Sequence, residues 1–353
     1  MKKIALFLIF ALTIGLLAGC AGTVVVVGGC TCPTGNHNHV TPTNPQPTNP
    51  PAEGALKTGL AIVTSLKGSE NGKADYDVTL VAVLVDDQGV IQDCIIDSIG
   101  AKVEFDTTGT ITSDVTAAIK TKNELGYDYH MKDWGSAIAE WFEQADALAQ
   151  FAIGKTVSEL KNGALNESGY APDGSDLASS ATIYLGGYVA AIEVAVNHAK
   201  HLGAQAGDEL RLAAMPSLAS SASATAEKAG TAQLDCDAAA LTVKDGIITS
   251  CYIDSLQAKV SFGTDGVITT DVTASVKTKN ELGYDYHMKD WGTAIAEWFE
   301  QAASFASYVT GKTADQVAGI AVNESTKPTD ADLSTSVTIA IGGFQALIAK
   351  ALS

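Results

Sequence analysis

The sequence predicts an α+β protein: two tandem copies of an antiparallel sheet covered by helices, preceded by a disordered, proline-rich tether. Three observations carry this expectation. The chain after about residue 77 is written twice, at an offset of 157 that becomes 156 after a one-residue gap. Within each copy, an apolar pattern of period two gives way to one of period three to four, the change expected where strands end and helices begin. Six of the nine prolines stand between Cys30 and Ala52, a composition that favours extended polyproline II over a packed core.

The first segment, residues 1–19, reads as a signal peptide. Lys2 and Lys3 form a positive start and Ile4 to Leu17 a short apolar run, below the ~20 residues that a membrane-spanning helix needs. Leu17-Ala18-Gly19-Cys20 follows directly and resembles a bacterial lipobox, which implies diacylglyceryl modification of Cys20. Val27-Gly28-Gly29-Cys30 is a weaker candidate because it lies beyond the apolar run. No other stretch is apolar enough to span a bilayer, so acyl chains are the expected anchor. Residues 20–55 then form the tether. Cys30, Cys32, His37 and His39 stand inside it in a C-x-C-x4-H-x-H pattern. Those residue types suit a soft metal, but a tether supplies no outer shell to orient them, and the segment reads as a polar spacer.

Residues 56–212 and 227–353 are the two expected domains, with an Ala/Ser-rich boundary at 213–226. In the first, Val78 to Val85 is a β-rich run that Asp86-Asp87-Gln88-Gly89 turns into Val90 to Ile96. Lys102 to Phe105 and Thr110 to Thr112 continue the alternation; in the second domain Lys244-Asp245-Gly246 is the turn. Trp134, Ile138, Trp141, Phe142, Ala145, Leu148 and Ala149 then fall at helical spacing, with Asp133 as the expected N-cap. Gly154-Lys155-Thr156 and Gly311-Lys312-Thr313 end these helices. After a polar loop, second helices are expected near Tyr188 to His201 and Phe344 to Ala351.

Composition narrows the function. Hydrophobic residues at 46% and charged residues at 18% exclude wholesale disorder. A net charge of −18, which becomes −20 once Lys2 and Lys3 are removed with the signal, argues against nucleic-acid partners. The domains contain no nucleophile–base–acid set, no Gly-rich phosphate loop and no zinc pattern.

The repeat is unevenly preserved. Cys94–Ile119 against Cys251–Val276 gives 16 identities in 26, and Asp146–Ala171 against Ala303–Pro328 gives 8 in 26. Between them, Lys120–Ala145 against Lys277–Ala302 gives 25 in 26, with only Ser136/Thr293 different. A single duplication decays evenly unless positions are constrained, so this middle block is expected to carry function; local gene conversion is the bland alternative.

After the polar loop each copy carries a short signature: Asp176-Leu177-Ala178-Ser179-Ser180-Ala181-Thr182, and Asp332-Leu333-Ser334-Thr335-Ser336-Val337-Thr338. Both resemble the D-x-x-[ST]-[GS]-[AV]-T acceptor motif of covalent FMN-binding domains. There a flavin transferase of the ApbE type links FMN to the last Thr by a phosphoester. With two copies, a lipobox and a tether, the chain is similar to the twice-flavinylated, PplA-like lipoproteins of extracellular electron transfer in Gram-positive bacteria. Ser180 and Ser336 stand where the best-known form of the motif has Gly, and Val337 where it has Ala. Without a resemblance, a D-x-x-[ST]-x-x-T run reads as a helix N-cap cluster.

The resemblance implies two covalent FMN groups, on Thr182 and Thr338. It implies a membrane quinol-linked donor, and ferric iron or soluble flavins or quinones as acceptors. The chain would then be an electron carrier, or part of a ferric or flavin-shuttle reductase, at the outer face of the cytoplasmic membrane. The competing expectation is a non-redox surface lipoprotein whose twin modules bind a wall component or partner protein. A hydroxyl attacks a phosphoryl group when a metal neutralises its charge; the transferase would bring that metal, with Asp176 or Asp332 helping to position it. Gly186-Gly187 and Gly342-Gly343 are expected to admit a bulky ligand close to the backbone.

The preserved block offers aromatic faces for an isoalloxazine ring and lysines for its polar edge or phosphate. Lys122, Tyr129 and Trp134, with Lys279, Tyr286 and Trp291, are therefore expected to line the pockets, although Trp134 and Trp291 also fit a helix core face. Trp141 and Trp298 read as core, and His130 and His287 as surface or satisfied histidines rather than proton relays. Cys94 matches Cys251, and Cys236 falls opposite Thr79 in the alignment; a Cys236–Cys251 bridge depends on strand register.

Overall fold

The computed structural model describes residues 54–134, 137–291 and 294–353. The signal, Cys20 and the tether through residue 53, with Cys30, Cys32, His37 and His39, lie outside the described residues; Gly54 and Ala55, expected to end the tether, instead pair with Ala206 and Gln205.

Two three-stranded antiparallel sheets dominate. The first runs β1 (Lys57–Ser65), β2 (Lys73–Val85), β3 (Ile91–Glu104), with β2 in the centre. The second runs β4 (Glu209–Ser217), β5 (Gly230–Lys244), β6 (Ile247–Phe262), with β5 central. Among the described residues, eight α-helices accompany them: α1 (Lys122–Leu125), α2 (Trp141–Ala152), α3 (Val157–Ala164), α4 (Gly186–His198), α5 (Lys279–Leu282), α6 (Trp298–Val309), α7 (Ala314–Ala318) and α8 (Gly342–Ala351). The architecture is mixed α+β.

The central strands read as continuous apolar runs because both of their faces are buried. On β2, Ala74, Tyr76, Val78, Leu80, Ala82 and Leu84 point into a core that also receives Leu234, Cys236, Ala238 and Ala240 of β5. The alternate residues Val81, Val83 and Val85 point the other way, onto α2, α3 and α4. Ala239 and Leu241 of β5 face α6, α7 and α8 likewise. The layers are thus helices, sheet, sheet, helices, and the innermost core belongs to both halves of the repeat. Bonds across that seam include Thr58 Oγ1 to Ser250 Oγ at 2.7 Å, buried, and the Lys350–Glu124 ion pair at 2.6 Å. On β1, Gly59 lets α4 approach closely: a Cβ there would lie 2.1 Å from the Ala195 carbonyl oxygen.

Several sequence expectations change. The Ala/Ser-rich boundary at 213–226 begins inside β4, whose Ala213 and Ala214 are buried; small side chains there fit a sheet rather than a spacer. β1 lies before the stretch in which strands were expected. Lys102 to Glu104 continue β3 without a break, while Phe105 and Ile111 form only an isolated bridge. α2 starts at Trp141, not near Trp134, and its cap is Glu140 rather than Asp133. Asp133 belongs to a separate 3-10 turn, Met131–Trp134, and pairs with His130. α2 ends at Ala152, as Gly154-Lys155-Thr156 implies; α3 was not foreseen, though Thr156 and Glu159 form its capping box.

Strand register also decides the cysteines. Cys236 stands opposite Leu256 and Cys251 opposite Leu241. The two thiols therefore point to opposite faces of the sheet, into different cores, and both are free. Val83 faces Cys94 as Leu241 faces Cys251. The central strands therefore match at an offset of 158, and the counterpart of Cys236 is Val78 rather than Thr79.

Candidate functional site

The site is built outward from α2. A polar residue on the core-facing side of that helix, Gln144, is fully buried, and a buried amide must have its bonds supplied. Its Oε1 accepts from the Thr182 amide at 2.7 Å, the Ile183 amide at 3.2 Å and the Thr182 hydroxyl at 3.2 Å. Its Nε2 donates to the Ala139 carbonyl at 2.8 Å. Gln301 on α6 repeats the arrangement. It accepts from the Thr338 amide at 2.8 Å, the Ile339 amide at 3.2 Å and the Thr338 hydroxyl at 3.2 Å, and donates to Ala296 at 2.8 Å.

The signature itself alternates between anchor and exposed group. Leu177 and Ala181 in one loop, and Leu333 and Val337 in the other, are buried in the helix–sheet cores. Val337 therefore fills core space and does not crowd the approach to Thr338. Thr182 is exposed and Thr338 half-buried, each held by a buried amide at the surface of its loop.

Asp176 and Asp332 are exposed at the start of 3-10 turns Leu177–Ser179 and Leu333–Thr335, and neither side chain caps its turn. That work is done one or two residues earlier, by Ser175 Oγ accepting from Ala178 and by Asp330 Oδ1 accepting from Asp332 and Leu333. α4 and α8 likewise start without a side-chain cap. Ser180 is exposed; the Ser336 hydroxyl donates to the Leu333 carbonyl at 3.3 Å. The signature is therefore not a helix-capping cluster.

The loop containing the lysine is fastened at three points. Thr121 and Glu124 form a capping box around α1. Asn123 donates its amide to Asp97 Oδ1 at 3.0 Å and its side chain to the Ile96 carbonyl at 2.9 Å. Buried Glu140 accepts from the amides of Met131 and Lys132, at 2.7 and 3.2 Å. Asn280, Asp254 and Glu297 repeat these bonds. Burial pushes Asp97 above the usual carboxylate range and Asp254 up to about 7, against the hydrogen bonds they accept.

So held, Lys122 lies over two aromatic faces. Its Nζ is 5.2 Å from the Tyr129 ring centroid and 4.9 Å from Trp141. Lys279 is 5.4 Å from Tyr286 and 4.8 Å from Trp298. Burial lowers the Lys279 pKa, with Asp237 and Asp235 pulling it back up. Trp141 Nε1 donates to the Tyr188 hydroxyl at 3.0 Å, whereas Phe344 stands edge-on to Trp298 in the second half. Trp141 and Gln144 are three positions apart on α2, and so lie on one helix face. The lysine–aromatic cluster and the anchored threonine are one helical turn apart along it.

The structure thus groups Lys122 with Tyr129, and Lys279 with Tyr286, beside Trp141 and Trp298, which are buried as expected and also supply faces to the lysines. Trp134 and Trp291 end 3-10 turns, and their side chains lie outside the described residues. His130 and His287 are exposed, with positive φ of 56° and 55°, each paired to an Asp three residues on; they close turns. The expected approach of a ligand to Gly186 and Gly342 is taken by the protein's own groups. A Cβ on Gly186 would meet the Tyr184 hydroxyl at 2.5 Å, and one on Gly342 the Thr326 side chain at 3.1 Å. Gln144 and Gln301 escaped sequence reading, although a glutamine at a core-facing helix position inside the preserved block was the signal.

Comparison with known proteins adds no assignment: no protein-family model, no curated protein and no solved structure matches this chain.

Proposed function

We propose that this protein is a lipid-anchored extracellular electron carrier bearing two FMN groups, joined to Thr182 and Thr338 by phosphoester bonds. The observation that carries the reading is the pair of surface threonines, each pinned through its amide and hydroxyl to a buried glutamine, in signatures that cap no helix. The donor set fits the group. A hydroxyl is available for the phosphoester, a lysine for the polar edge or phosphate, and Tyr129 or Tyr286 for the ring face. FMN would supply electron chemistry that side chains do not.

The chain's own residues hold and orient. Gln144 accepts the Thr182 hydroxyl bond, which directs the oxygen lone pairs away from the buried amide and toward an incoming phosphoryl group. Asp176 and Asp332, exposed and unengaged as caps, are free to face the magnesium ion of an ApbE-type transferase. Covalent attachment suits an extracellular carrier, because non-covalent complexes dissociate within milliseconds to days. Cys20 would carry the lipid, and the tether would reach into the wall. A membrane quinol-linked donor and ferric iron or soluble flavin or quinone acceptors complete the path. The negative charge favours cationic acceptors.

The test is co-expression with a flavin transferase, denaturation and intact mass. Two flavin masses are expected, one lost with Thr182→Ala, one with Thr338→Ala and both with the double variant. A colourless protein, or flavin that washes away on denaturation, sinks the reading in favour of a non-redox module that binds a wall component or partner.

A further inference from the structure

The two candidate sites share most of their groups, but a carboxylate beside the second lysine has no charged counterpart in the first. Asp237 lies on the helix-facing side of β5, between Cys236 and Ala238, which point into the inter-sheet core. It stands opposite Ser255, and Thr79 stands opposite Ser98. Ser98 and Ser255 are repeat equivalents, so the first sheet carries a neutral Thr79 where the second carries a carboxylate. Asp235, by contrast, has its counterpart in Asp77, since they stand opposite Gln257 and Gly100.

The Asp237 carboxylate is turned toward the second site. Of the charges acting on Lys279 it is the strongest, and it also acts on Tyr286. A Cβ on Gly343, in the first turn of α8 and five residues past Thr338, would lie 3.5 Å from Asp237 Oδ2. The same Cβ on Gly187 would meet only the Tyr184 ring, at 4.0 Å. The carboxylate thus sits between the Lys279 cluster and the start of the helix that follows the threonine.

We propose that Asp237 makes the two sites electrically unequal, holding a flavin on Thr338 at a lower reduction potential than one on Thr182. This rests on the flavin reading above. Two-electron reduction near neutral pH adds one proton to the neutral ring and leaves it with one negative charge. A fixed carboxylate beside the ring opposes that charge, and it does so more strongly where water is partly excluded. Lysine is present in both sites, whereas the Asp237 carboxylate is present only in the second. The consequence is a direction. At a given ambient potential a flavin on Thr182 would be reduced first, and one on Thr338 would be the stronger reductant.

The experiment uses the full chain, flavinylated by a co-expressed transferase, as two single-flavin proteins, Thr182→Ala and Thr338→Ala. Each is titrated spectroelectrochemically with mediator dyes. The flavin on Thr338 is expected at the lower potential. Asp237→Thr should raise it toward the other site, and Thr79→Asp should lower the Thr182 flavin. Asp237→Asn, nearly isosteric, serves if Asp237→Thr does not fold. Equal potentials, a reversed order, or a Thr338 flavin indifferent to loss of the carboxylate overturns the inference while leaving flavinylation intact. Absence of covalent flavin mass overturns the underlying reading, and this one with it.

Discussion

Phe105 and Phe262 lie ring on ring, their centroids 3.8 Å apart and their planes 7° from parallel. They are the same residue of the repeat, at an offset of 157, and they meet each other across the seam between the sheets. Each half therefore leaves an apolar face that only the other half covers. One cooperative unfolding transition is expected for residues 54–353, rather than two. Phe105→Ala and Phe262→Ala should each cost about 3–5 kcal/mol and shift that single transition as a whole. Urea titration followed by both far-ultraviolet circular dichroism and tryptophan fluorescence checks this, since separable transitions would mean independent halves.

Gln144→Ala should release the Thr182 loop without touching the other site. Its removal leaves the Thr182 and Ile183 amides and the Ala139 carbonyl without partners, a loss of about 1–3 kcal/mol for each group that stays buried. Flavin incorporation at Thr182 should fall while incorporation at Thr338 holds, and Gln301→Ala should do the reverse. Peptide mass mapping after transferase treatment reads both sites in one sample. Equal incorporation in both variants would separate the glutamines from the modification.

The sheet-then-helix order was legible because the central strands are buried on both faces and read as unbroken apolar runs, while α2 and α6 keep a helical stripe. The edge strand β4 was not, because its Ala213 and Ala214 are small and resemble linker composition. Period and propensity say nothing of what lies across a seam, so the shared core was hidden as well. The reactive positions were visible as a recurring motif. What holds them was not, since the bonds from Gln144 to Thr182 and from Glu140 to Met131 join residues through folding. The mismatch at Cys236 came from aligning by letters where the shorter turn after β5 moves the register by one.

The three described thiols should resist alkylation. Cys94, Cys236 and Cys251 are buried, and burial raises all three, Cys251 up to about 12. The thiolate is the nucleophile, so native protein at pH 8 should leave them unlabelled by iodoacetamide, with all three labelled in urea. Non-reducing peptide maps should show no Cys236–Cys251 link, because the strand register turns those side chains to opposite faces.

Asp254 should make stability depend on pH in the sense opposite to ordinary salt-bridged acids. Its carboxyl is held between the amides of Ser255 and Asn280, and burial raises it from 3.8 to about 7 in the folded chain. The folded state therefore keeps a proton that the unfolded state gives up. That contribution is fully present below about pH 4 and is lost as pH rises toward 7, by an amount on the order of a few kcal/mol. Asp254→Asn keeps an acceptor oxygen for both amides and has no proton to lose. Between pH 5 and pH 8, the stability of the variant should therefore gain on that of the native chain as pH rises. Urea midpoints of the two proteins measured across that range test the sign: parallel curves would mean that Asp254 titrates with an ordinary carboxylate value, and that water reaches it.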